Sequence, residues 1–158
     1  MKKLLLLLCF SLVASLFFGQ SNKSIDEILN ADNPPFDQTA LLVLQAANIV
    51  GQDATSQTAL NYIEESGWFR ASRLAKLKDG AKVTLGDVCL LLMRSFNLKG
   101  GISYSIKPTP YNSARELQFR NFFYFPDASP FQKVNGTTLI TLLGSMMEYT
   151  QSMQKGDN

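Results

Sequence analysis

The chain has 158 residues, with 15 Lys and Arg against 13 Asp and Glu and no histidine. Without histidine the usual serine and cysteine triads and the common zinc sites cannot be assembled. A formal charge of +2 supplies no global field that would draw the protein to nucleic acid or to an anionic membrane.

Residues 1–20 read as a signal peptide. Lys2 and Lys3 give a positive start, and an apolar run follows from Leu4 to Phe18. A membrane span needs roughly 20 apolar residues, so no stable span is expected once the leader is cleaved; a retained anchor is the alternative. Cleavage is expected near Gly19 or Gln20, with Ser15 as a second candidate. Cys9 follows five leucines and sits too early to be a lipoprotein cysteine. Residues 21–158 are expected to form a single helical domain. Losing Lys2 and Lys3 leaves 13 basic against 13 acidic residues. The balance is uneven along the chain. Residues 20–69 sum to −6, residues 70–120 to +7 and the remainder to −1. Local neutralisation between neighbouring segments is one reading, and a basic face for an acidic partner is the other.

Ser24-Ile25-Asp26-Glu27 is a capping box for a short helix through Asn30, ended by Asn33-Pro34-Pro35. Asp37 is expected to cap a second helix, with Phe36 stapled onto Leu41, running to Gly51. A third helix covers Ser56 to Glu65 and stops at Ser66-Gly67. The run Arg70 to Leu77 forms a further short helix, and Lys78-Asp79-Gly80 a turn. Thr84-Leu85-Gly86-Asp87 opens a helix to Asn97 that is apolar almost all round, which predicts the centre of the domain. Cys89 lies within it and reads as a buried small hydrophobe, since no histidine exists to activate it. Gly100-Gly101 ends that helix. Residues 102–106, Ile-Ser-Tyr-Ser-Ile, alternate and predict a short strand or extended segment. Pro108-Thr109-Pro110 predicts an extended link. Ser113-Ala114-Arg115-Glu116 is a capping box for a helix to Phe122. Residues 122–131 are aromatic and broken by proline, hence irregular. The last helix runs from Thr137 to Ser152, and a frayed tail follows. The fold class is mainly α, a single compact helical domain with short extended segments.

Three stretches share a form, a polar capping residue followed by a strongly apolar helix. They start at Phe36, Val83 and Val134, and place Asp37, Thr84 and Asn135 equivalently at spacings of 47 and 51 residues. Such periods suit three helical-repeat units in a trefoil-like arrangement, although any set of capped amphipathic helices looks partly alike. The pattern resembles the S-layer homology family of bacterial envelope proteins. Thr84 and Asp87 match the threonine and acid of that family's Thr-Arg-Ala-Glu-like motif, and the run from Ala59 to Phe69 is similar to its preceding short helix. The motif arginine, which engages cell-wall polysaccharide in that family, is Leu85 here. The resemblance therefore implies the architecture and not the glycan chemistry. Lys82 to Leu117 is also similar to helical modules of spirochaete-type envelope proteins, which share a Gly-Gly-hydrophobic-x-Tyr segment and an Ala-Arg-Glu-Leu segment. That resemblance implies no activity.

No nucleotide-binding, nucleophile-elbow or calcium-loop motif occurs, and no cofactor or metal is expected. Glu64 and Glu65 diverge by about 100° on a helix and cannot share a cleft. A glycosidase pair would have to come from Glu65 with Glu116 or Asp127. Most aromatic residues, including Phe119, Phe122, Phe123, Tyr124 and Phe125, are expected in the core. Trp68, Tyr104, Lys107, Tyr111, Arg115 and Arg120 are the candidate binding residues, because aromatic faces beside cations suit sugars or acidic peptides. The expectation is an exported, non-enzymatic bacterial envelope module, periplasmic or on the surface, binding a protein or glycan partner and no nucleic acid. A small cell-wall hydrolase using carboxylates, or an assembly partner of a larger envelope complex, is the alternative.

Overall fold

The computed structural model describes residues 25–123 and 129–156. The leader, Ser24 of the first capping box, and Tyr124, Phe125 and Asp127 lie outside these residues. The protein is mainly helical. A short helix occupies residues 25–29 (α1). It is followed by α2 (Phe36–Ala46), α3 (Ser56–Ser66), α4 (Ala71–Lys78) and α5 (Leu85–Ser95). Then come α6 (Ile102–Ile106), α7 (Pro110–Phe119) and α8 (Gly136–Gly156).

Helix α5 is central, as its apolar coverage predicts. Every residue from Leu85 to Met93 is buried, and the helix packs on α7, α2 and α8. Its capping box is complete: the Thr84 side chain accepts from the Asp87 N–H, and Asp87 accepts from the Thr84 N–H at 2.9 Å. The buried apolar side chains form one connected core running from Ile28 to Met146. Among the described residues no helix is long and apolar enough to cross a membrane.

Helices α2, α5 and α7 end alike. Asn48, Asn97 and Asn121 all take positive φ, between 51° and 60°. In each case the next residue, Ile49, Leu98 or Phe122, donates its N–H back to the carbonyl of Leu44, Met93 or Leu117. This is the Schellman closure with asparagine in the left-handed position. It stops α2 at Ala46, so Gly51 is not the terminator.

Several expectations are corrected. Asp37 does not cap α2. Pro35 holds that place with no side-chain bond, and buried Phe36 packs edge-on against Phe69 at 5.4 Å. Residues 102–106 are helical, not extended. Two-residue alternation makes a strand only where a neighbour offers a ladder, and the sole β-bridge among the described residues joins Thr84 to Lys133. The Ser105 N–H instead bonds the Gly101 carbonyl at 2.9 Å, closing a helical turn. Helix α7 starts earlier than expected. Thr109 caps it and Pro110 takes its first position, where a missing N–H costs nothing. Ser113, the expected cap, is buried and donates to the Thr109 carbonyl at 2.8 Å. Phe122 and Phe123 are buried, but Phe119 is 85% exposed. The last helix continues past Ser152 to Gly156.

The segments leading into α2, α5 and α8 meet. The Asn33 amide donates to the carbonyls of Val83 and Val134, both at 2.9 Å, and accepts from the Val83 N–H at 3.1 Å. Thr84 and Asn135 then cap their helices, Asn135 accepting from the Thr138 N–H at 2.8 Å.

Candidate functional site

An open groove of about 600 Å³ lies across the first turn of α5. Its floor is Thr84, Asp87 and Leu90. One wall is the turn between α3 and α4, carrying Trp68, Phe69 and Arg70. The second wall is the α6–α7 link, Lys107 to Asn112. Pro130 and Phe131 close the third side.

Each wall is fixed by a local device. The Asn112 side-chain amide donates to the carbonyls of Lys107 and Ser103, tying the link down. Gly86 sits between two walls. Its N–H donates to the Pro130 carbonyl at 2.9 Å, and a Cβ added to it would lie 2.9 Å from the Pro110 oxygen. Only glycine lets the link pass this close to the helix. Arg73 of α4 reaches the floor. Its guanidinium donates through Nε to Asp87 Oδ1 at 3.1 Å, and Nη2 pairs with Asp87 and with the Lys82 carbonyl. The Asp87 bond raises the Arg73 pKa above the usual arginine value, outweighing partial burial.

Three of the six candidate residues line this groove: Trp68, Lys107 and Tyr111. Trp68 is half-buried, edge-on to Tyr62 at 5.5 Å. Tyr111 is 45% exposed and stacks on Phe131, itself 75% exposed, with ring centroids 6.4 Å apart. Arg115 lies outside the lining but over the Tyr111 ring, at 5.8 Å. Tyr104, expected on the surface, is 7% exposed and packs under Arg94. Burial raises its phenol pKa. It borders a smaller hollow of about 480 Å³ that shares Trp68 and Pro108 with the groove. Arg120 is in neither. It donates to Glu116 at 2.8 Å, to the Tyr149 hydroxyl at 3.0 Å and to the Lys99 carbonyl, holding α7 to α8 and to the end of α5.

Sequence reasoning missed Arg70 and Phe131. Phe131 lies in the proline-broken stretch, where no periodicity indicates which face a side chain takes. Leu85, where the resembled family carries its arginine, is fully buried and presents nothing to a ligand.

Two carboxylates, Asp87 in the groove and Glu116 on α7, are committed to structure. Asp87 is buried and accepts from Thr84 and Arg73. Burial would raise the Glu116 pKa, but bonds from the Gly101 N–H and from Arg120 outweigh it and hold that carboxylate below its usual range. Three ion pairs occur among the described residues, and only Lys78–Glu64 joins the basic middle of the chain to the acidic segment before it. No metal-binding cluster occurs among the described residues. No family model, curated protein or solved structure matches the chain.

Proposed function

We propose that the protein is an exported, non-enzymatic module of a bacterial cell envelope, periplasmic or surface-exposed, that binds a protein or glycan partner through this groove. The observation that carries the reading is the convergence of Trp68, Tyr111 and Phe131, with Arg70 and Lys107, from three separate segments. Exposed aromatic side chains are the common anchors of recognition surfaces. A hydrolase would need a carboxyl group with a raised pKa facing a second one. The low pKa of Glu116 and the internal bonds of Asp87 work against that alternative. Export rests on Lys2, Lys3 and the apolar run from Leu4 to Phe18. The meeting of three segments at Asn33 supports a three-unit arrangement like that of S-layer homology modules.

The test is co-sedimentation with envelope material. Replacing Tyr111 and Phe131 together by Ala should abolish binding and leave the melting temperature nearly unchanged, since neither residue is part of the buried core. Undiminished binding by that double variant would end the groove reading. The intact mass of the exported protein should begin between Leu16 and Ser21; retention of Met1 in the membrane fraction would end the export reading.

A further inference from the structure

We infer that the groove takes an acidic peptide segment of a partner protein, one in which a large apolar side chain lies beside carboxylates. The inference rests on the binding reading above and chooses between its two partner classes.

The argument is the imbalance of donors and acceptors. Asp87 accepts from Thr84 and Arg73, and the Thr84 hydroxyl bonds Asp87. The Thr109 hydroxyl accepts from the Asn112 N–H at 3.2 Å. These acceptors are engaged, and among the lining side chains the Tyr111 hydroxyl and Asn112 Oδ1 are left to accept. The unpaired donors outnumber them. Among the described residues, Arg73 Nη1, the Trp68 indole N–H and the side chains of Arg70 and Lys107 have no hydrogen-bond partner within the chain. A sugar hydroxyl gives as well as receives, whereas the free groups here mostly give and two of the side chains are cations, which favours a ligand that mostly receives. Peptide carbonyls and carboxylates only receive. Apart from Tyr111 and Asn112 the remaining lining is apolar: Phe69, Leu90, Phe131 and the rings of Pro108, Pro110 and Pro130. That surface suits a large hydrocarbon side chain.

The backbone narrows the mode further. Gly86 N–H is bonded to Pro130, Lys107 N–H to the Ser103 carbonyl and Phe131 N–H to Ser129. The three prolines have no N–H at all. Along the α6–α7 link and Pro130–Phe131 the groove therefore offers no ladder for strand addition. Recognition falls to side chains, with Arg70 and Lys107 on opposite walls to meet the acids.

Trp68 is the single tryptophan of the chain and borders both the groove and the adjoining hollow, so its fluorescence reports on that face. Random peptides displayed on phage would be selected against the full exported protein. The enriched sequences should carry Asp or Glu next to Leu, Phe or Pro. Synthetic versions should shift Trp68 emission, and replacing both Arg70 and Lys107 by Ala should weaken them at least about fivefold, more at low salt. Oligogalacturonate and a neutral oligosaccharide of equal length should leave Trp68 unchanged. Enrichment of neutral or basic peptides, no enrichment at all, or a response to the oligosaccharides instead would overturn the inference. If envelope binding still disappears in the Tyr111 and Phe131 double variant, the groove reading survives that failure. If envelope binding persists there, the groove reading itself has failed.

Discussion

The Cys89 thiol is wholly enclosed by α5 and its neighbours, and burial raises its pKa far above that of an exposed thiol, with the Asp87 charge adding to the shift. A thiol that cannot ionise is neither a nucleophile nor a ready target of oxidation. Native protein should therefore resist a thiol reagent that labels the unfolded chain at once; labelling at equal rates would remove Cys89 from the core. This much is legible in the sequence, because the apolar run around Cys89 leaves it no polar side to face. Glu116 is the opposite case. Its expected role as a helix-opening residue follows from local spacing. Its actual partners, Gly101 and Arg120, come from the turn before α6 and the end of α7. Its folded pKa lies below the ordinary glutamate value of 4.5, so the pairing stabilises the fold above that value and is lost as pH falls below it. Melting temperature should drop through the acidic range in the native protein, and less steeply in Glu116→Gln. Parallel profiles would mean that the carboxylate is unpaired in solution.

At the scale of elements, Gly86 couples the core to the groove. Alanine is the better helix former by about 1 kcal/mol. Here its Cβ would meet backbone atoms of Pro110, at 2.9 and 3.0 Å, rather than a side chain that can rotate away. Gly86→Ala should cost about 1–3 kcal/mol in denaturant melts and move Trp68 emission as the link is pushed from α5. A gain in stability would mean that the link yields freely. Capped helices such as α5 are readable because the cap and the apolar run lie in adjacent residues. The asparagine closures of α2, α5 and α7 are also local, each an Asn followed by an apolar residue, a signal weaker than glycine and easily passed over. The groove is less legible. Its three walls lie far apart in the chain, and the Phe131 ring is placed by a stack on Tyr111 that no local pattern announces. Alternation misled at residues 102–106, where helix or strand depended on whether a neighbour existed.

Across the whole molecule, the tie at Asn33 draws together segments that introduce α2, α5 and α8. Its amide is one small group in contact with two distant carbonyls and one distant N–H. Asn33→Ala leaves those partly buried backbone groups short of a partner. It should cost about 1–3 kcal/mol while keeping a single unfolding transition. Two separate transitions would show that the parts are held together weakly. The bonds span 50 and 101 positions of the chain. Closing the longer loop rather than the shorter adds only about 0.6 kcal/mol of lost chain entropy, so distance hardly weakens the finished tie. Its effect is on timing. A chain made from its N-terminus holds Asn33 ready for a hundred residues before Val134 exists to receive it. The junction can form its Val83 bonds early but is completed only once Val134 has been synthesised, late in the making of the chain.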